Sequence, residues 1–179
     1  MELLLKNNIF IENGNLEIQA LYQPGFTGTD NSGNEYTTDY TSARLNTAGK
    51  SEWTYGRFEI RAKLPDGRGS WPAIWMLGSS ISTIGWPACG EIDIMEHVGF
   101  DEGNIHASIH TTDHNHILGT QKTAHINVPT VTDSFHVYTL EWTANYMYFM
   151  VDDQILHFVY NDSKGDVDKW HIEKSDNLK

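Results

Sequence analysis

Hydrophobic and polar residues alternate with a two-residue period along much of the chain. In residues 56–64, Phe58, Ile60, Ala62 and Leu64 share one face, and Glu59, Arg61 and Lys63 take the other. That is the pattern of a strand with one side on a core. Similar runs predict strands over 15–20, 73–77, 92–96, 105–111, 135–142, 146–151 and 154–160. Turn-forming residues separate them: Asn13-Gly14, Pro65-Asp66-Gly67, Asp101-Glu102-Gly103, Thr143-Ala144-Asn145 and Asp152-Asp153. The runs on either side of residues 144 and 152 read as consecutive hairpins. No segment holds a 3.6-residue apolar period over three turns, so little helix is expected. Many short strands with turns between them predict an all-β sandwich of two antiparallel sheets. Residues 161–179 are rich in Asp and Lys and lack strand alternation, so they read as a loop or a disordered tail.

A chain of 179 residues fits one domain, and residues 1–179 are read as one. Lys+Arg 12 against Asp+Glu 24 gives a net charge of −12. Such a field repels phosphate backbones and anionic lipid, so nucleic acid and membrane surfaces are not expected partners. A sulfated or uronic polymer is disfavoured for the same reason, whereas a neutral substrate is compatible. No run approaches the roughly 18 apolar residues of a membrane span. The single cysteine, Cys89, cannot form an intrachain disulfide and leaves the redox compartment undecided. Residues 1–5 have no basic start and too short an apolar run for a signal peptide, so any export signal is expected outside this chain.

The segment Gly90-Glu91-Ile92-Asp93-Ile94-Met95-Glu96-His97 places three acids inside an otherwise apolar strand. Acids are seldom buried without a compensating role. Glu91 and Asp93 share a face, and plain alternation would turn Glu96 to the other. One extra residue, a β-bulge near Ile94-Met95, would bring Glu96 back beside them. Two carboxylates across a sugar linkage are the equipment of glycoside hydrolysis, one attacking the anomeric carbon and the other protonating the leaving oxygen. Their spacing on one strand suits the shorter, retaining separation. Asp93 between them would share a proton with Glu91, and the titrations would be coupled. The competing reading is an acidic, solvated strand face.

Trp71, Trp75 and Trp86 come just ahead of the acids. Trp71 and Trp75, four apart, are expected on one strand face. Sugars stack their C–H faces on such rings, although core tryptophans look the same in sequence. His106 and His110 share a strand face, with His114 and His116 close behind. Zinc is conceivable there, but no cysteine pair or His-Glu-x-x-His motif supports it, and no metal site is assigned. His114 and His116 read as surface-loop residues, and His110 as a donor into the cleft.

Glu91-Ile92-Asp93-Ile94-Met95-Glu96 resembles the signature of family 16 glycoside hydrolases in its bulged form, typical of laminarinase-like endo-β-1,3-glucanases. The resemblance runs on through residues 40–45, 53–59, 71–77, 106–110, 119–122 and 135–142, nearly the whole chain to about Tyr160. It implies a concanavalin A-like β-jelly roll whose concave sheet forms an open cleft. Glu91 then matches the nucleophile, Glu96 the general acid/base and Asp93 the assisting acid. Arg44, Trp75 and Trp86 match residues that hold sugars on the non-reducing side, with Trp71, His110 and Gln121 as further cleft candidates. No cofactor is implied for catalysis, and a structural calcium on the convex face is a feature of the intact family fold.

The family pattern continues past the equivalent of Tyr160 with a cleft-side strand and a final outer strand, so this chain is expected to be an incomplete copy lacking its C-terminal strands. The expected function is an endo-acting, retaining hydrolase of neutral β-1,3-glucan. It is expected to be monomeric and extracellular or periplasmic, the compartment being inferred from the substrate. The alternatives are a non-catalytic glucan-binding module on the same fold, or the same chemistry on mixed-linkage glucan or agar.

Overall fold

The computed structural model describes residues 3–4, 6–29 and 33–161, and apart from two single-turn helices all regular elements among them are strands. They fall into two compact units, Met1–Asn46 and Thr47–Lys179.

The first unit holds β1 (Leu3–Leu4), β2 (Ile9–Glu12), β3 (Asn15–Ile18), β4 (Leu21–Thr29) and β5 (Glu35–Ser42). β2 and β3 form a hairpin closed by Asn13 and Gly14, whose φ values of +49° and +78° suit the twist of a two-residue turn. The second sheet has the order β1-β5-β4, and its β1–β5 pair is parallel, a departure from the expected antiparallel pairing. Polar groups hold this unit. The Asn8 amide, 1% exposed, donates to the Gln19 carbonyl at 3.0 Å and to Thr41 Oγ1 at 3.2 Å. The strands at 21–29 and 35–42 were not legible in the apolar pattern. β4 is mostly exposed and its pairing slips between Tyr22 and Phe26, around Pro24-Gly25.

The second unit is a sandwich of two four-stranded antiparallel sheets. One has the order β10-β9-β8-β7, built from β7 (Ala73–Leu77), β8 (Glu91–His97), β9 (Asn104–His110) and β10 (Lys122–Asn127). The other has the order β13-β12-β11-β6, from β6 (Gly56–Ala62), β11 (His136–Trp142), β12 (Tyr146–Val151) and β13 (Gln154–Tyr160). A one-turn helix, α1 (Ile81–Ile84), leads from β7 toward β8. The alternation predicts these strands to within two residues at each end, except β10, where Lys122, Thr123 and His125 dilute the apolar signal. The hairpins at 144 and 152 are both present. Residues 162–179, read as loop or tail, lie outside the described residues.

The core lies between the two sheets. Met76, Ile92, Ile94, Met95, Ile105, Ala107 and Ile109 meet Tyr138, Leu140, Trp142, Met147, Phe149 and Val151 there. Removing such side chains from water is the main favourable term for a fold of this kind. The Tyr138 hydroxyl is buried with no hydrogen-bond partner, and burial pushes its ionisation above the ordinary tyrosine range. Tyr138→Phe removes an unpaired polar group without changing the ring. It is expected to raise unfolding free energy by about 1 kcal/mol or more, read from urea denaturation, and a loss of stability would show that the hydroxyl has a partner.

Candidate active site

The site begins with the register of β8. Against β7, Asp93 pairs with Trp75 and Met95 with Ile74, so Ile94 is the extra residue. Against β9, Asp93 pairs with Ser108 and Glu96 with His106, three residues on one strand matching two on the other. Both Ile94 (4% exposed) and Met95 (1%) are consequently buried in the core, and the alternation restarts with Glu96 on the face of Glu91 and Asp93. The bulge inferred from the spacing of the acids is therefore present.

Pairing then lays out three rows across the sheet. Leu77, Glu91 and His110 form the first; Trp75, Asp93, Ser108 and Thr123 the second; Ala73, Glu96, His106 and His125 the third. Gln121 precedes β10 at the position that continues the first row beside His110. These side chains occupy the face opposite the core, with the carboxylates along the middle of the sheet. Glycine permits the close approach at the top of β7. The Gly78 N–H donates to the Gly90 carbonyl at 3.1 Å, and a Cβ on Gly78 would overlap the Cys89 carbonyl.

Environment differentiates the three acids. Asp93 is 2% exposed, while Glu91 and Glu96 are half-buried. Burial, with the charge of Glu96, pushes the Asp93 carboxyl up to about 8. Burial, with the charge of Asp93, pushes Glu91 up to about 7. The two carboxyls are hydrogen-bonded to each other, which requires a proton between them. Glu96 accepts a hydrogen bond from the Trp71 indole N–H at 3.1 Å. Trp71, 70% exposed, stands ahead of β7 rather than on a strand with Trp75, and reaches Glu96 from there.

His110 Nε2 lies 3.2 Å from Asp93 Oδ2, and burial lowers the proton affinity of this imidazole. Trp86, in the turn before β8, has its ring centroid 5.8 Å from that of His110. It stacks on His116 at 4.8 Å and 30°. His116 is an exposed loop residue, as expected from sequence, and from that loop it packs on an aromatic of the site. Asn115 holds that loop by donating to the Thr111 and Thr112 carbonyls at 3.1 and 3.0 Å. Nδ1 of His110 and Oε1 of Gln121 are buried and unpaired, polar groups left for something that enters the cleft. His125, Ser108 and Thr123 were missed in the sequence, although the parity of β9 and β10 places them once His110 is assigned to the cleft. Arg44 belongs to the first unit, exposed in the segment after β5, and is not among the residues these pairings bring together. Among the described residues, Glu91, Asp93 and His110 form the one group of three His, Cys, Asp or Glu side chains close enough to share an ion.

The sequence profile of Glycosyl hydrolases family 16 matches residues 5–175. A β-glucanase from Rhodothermus marinus is 47% identical over 161 residues, covering 89% of this chain and 53% of that protein. The chain thus spans about half the length of this curated relative. The solved laminarinase from Rhodothermus marinus superposes with a TM-score of 0.81 at 42% identity, over 96% of this chain and 67% of that one. A variant of SCLam, a non-specific endo-β-1,3(4)-glucanase from the same family, gives a TM-score of 0.86 at 41% identity over 96% of this chain and 64% of that one. It presents a 1,3-β-D-cellobiosyl-glucose at its active site. The all-β sandwich expected from the strand pattern, and the jelly roll implied by the family resemblance, are the fold of these proteins.

Proposed function

Because the chain belongs to family 16 of the glycosyl hydrolases, we propose that it is the catalytic part of an endo-acting, retaining β-glucanase that cleaves laminarin-type β-1,3-glucan. The observation that carries this is the single-residue bulge that keeps Glu91, Asp93 and Glu96 on one open face. A Glu91 carboxylate oxygen attacks the anomeric carbon while Glu96 gives its proton to the departing glycosidic oxygen. The C–O bond breaks and a glycosyl ester forms on Glu91. Water then attacks the same carbon, Glu96 takes its proton, and the ester bond to Glu91 breaks. Asp93 shares a proton with Glu91 and orients it for attack. Trp71 fixes one oxygen of Glu96 and leaves the other for the leaving group. Trp75 and Trp86 supply ring faces for sugar C–H groups, and His110 and Gln121 supply polar atoms for hydroxyls. The reaction needs no metal. A glucan polymer is met outside the cytoplasm, so the proposed place of action is extracellular or periplasmic.

The test is reducing-sugar release from laminarin, lichenan and agarose, with proton NMR of the first anomer formed. Fastest release from laminarin with a β-anomer as the first product supports the reading; an α-anomer excludes retention. Comparable rates on lichenan would assign a broader β-1,3(4) specificity like that of SCLam.

A pH profile tests Asp93 separately. Glu91 must be ionised to attack, so the acid limb of kcat/KM should lie near its raised value of about 7. Asp93→Asn removes the neighbouring charge that opposes ionisation of Glu91. The limb is therefore expected to move to lower pH, toward the ordinary carboxylate range, while the maximal rate falls. An acid limb that stays in place would remove Asp93 from this role.

A further inference from the structure

We propose that Glu91, Asp93 and His110 form a site for a borderline divalent transition-metal cation of the Zn²⁺ class, and that an ion held there blocks the cleft. Each residue offers one ligand atom, and these atoms all lie within 4.8 Å of one another. The separation of His110 Nε2 and Asp93 Oδ2 is 3.2 Å. A tetrahedral ion with bonds of about 2.0–2.1 Å needs ligand atoms roughly 3.3 Å apart. Two of the three are therefore already spaced for an ion, and Glu91, half-buried on the open side, closes the third position by a side-chain rotation.

An independent observation points to a ligand in the same place. Asp93 is 2% exposed, yet its Oδ2 has no hydrogen-bond partner. Asp93 Oδ2 is aimed at the imidazole without the geometry of a hydrogen bond to it. One imidazole with two carboxylates suits Zn²⁺, Cu²⁺ or Co²⁺, whereas Ca²⁺ and Mg²⁺ prefer all-oxygen sets. The site is not the His106–His110 pair that the sequence raised. His106 lies two rows away and faces Asp101 at 3.7 Å. Blocking of hydrolysis follows because the ion occupies Glu91, and that part rests on the reading of Glu91 as nucleophile.

The test is a Co²⁺ titration of the whole chain, free of any histidine tag, followed by its visible d–d absorption and by displacement with Zn²⁺. An absorption typical of a low-symmetry nitrogen–oxygen site is expected. Co²⁺ affinity should fall at least about tenfold in His110→Gln and Asp93→Asn and stay unchanged in His125→Ala. Near-UV circular dichroism reports whether each variant folds. Glu91→Gln, a change at a half-exposed side chain, is read in the same way if a variant at a buried position does not fold. No visible absorption in the parent protein, or unchanged affinity in the folded variants, overturns the site. Laminarin hydrolysis separates the two readings. Co²⁺ bound through these residues with no inhibition by Zn²⁺ leaves the cation site standing and counts against Glu91 as nucleophile. Inhibition by Zn²⁺ that survives in Asp93→Asn overturns the site.

Discussion

Glu96→Gln is expected to lower turnover of laminarin by about 10²–10⁴-fold, the usual contribution of a positioned general acid/base. Gln keeps the shape and can still accept the Trp71 N–H, but it has no proton to give the leaving oxygen. The deficit should shrink on an aryl glucoside whose leaving group departs without protonation. Glu91→Gln is expected to lose more, and on both substrates alike, because the ester intermediate cannot form on an amide. Neither change should unfold the protein. Glu91 is a partly buried carboxyl whose ionisation is opposed by its surroundings, so an amide there is no worse for stability than the acid. Near-wild-type rates for both variants would falsify the hydrolase reading. An equal loss on both substrates for Glu96→Gln would remove Glu96 from the acid/base role.

The largest effect on stability is expected from Trp142→Ala. Trp142 is 1% exposed at the end of β11, opposite Gly56 on β6 and Met147 on β12. Its ring packs edge-on against Tyr55 at 5.1 Å. Because Gly56 has no side chain and Tyr55 sits at φ +69°, neither neighbour can swing into the space the indole leaves. The indole N–H has no partner, so its loss strands no hydrogen bond. The cost is therefore transfer plus cavity, about 3–5 kcal/mol, a large part of the roughly 5–15 kcal/mol typical of a whole domain. Urea unfolding should show a lower midpoint with an unchanged slope. A loss below about 1 kcal/mol would mean that the sheets close over the gap.

Elements were legible in the sequence where burial writes a pattern. β6, β7, β11, β12 and β13 alternate because one face meets the core, and each was read to within two residues. β4 and β5 left no such trace, since Leu21, Tyr22 and Tyr40 are exposed and Thr38 and Thr41 are buried. Trp71 shows a different limit. Its spacing from Trp75 suggested one strand face, but Pro72 precedes the strand, and the indole reaches Glu96 from a loop. His116 depended on how residues 111–120 fold back over Trp86, which no local spacing encodes.

The chain by itself determined the strand sandwich and the need for a bulge, because three acids at positions 91, 93 and 96 of an apolar strand can share one face only if a residue is inserted. Tertiary structure alone decided which groups meet those acids. The pairing of β8 with β7 and β9 sets Trp75 and Ser108 beside Asp93 and His110 beside Glu91, and the burial that follows raises the proton affinity of Asp93. Proton affinity depends on solvent exclusion and on charges brought close by other strands, and neither exists until the sheet has closed.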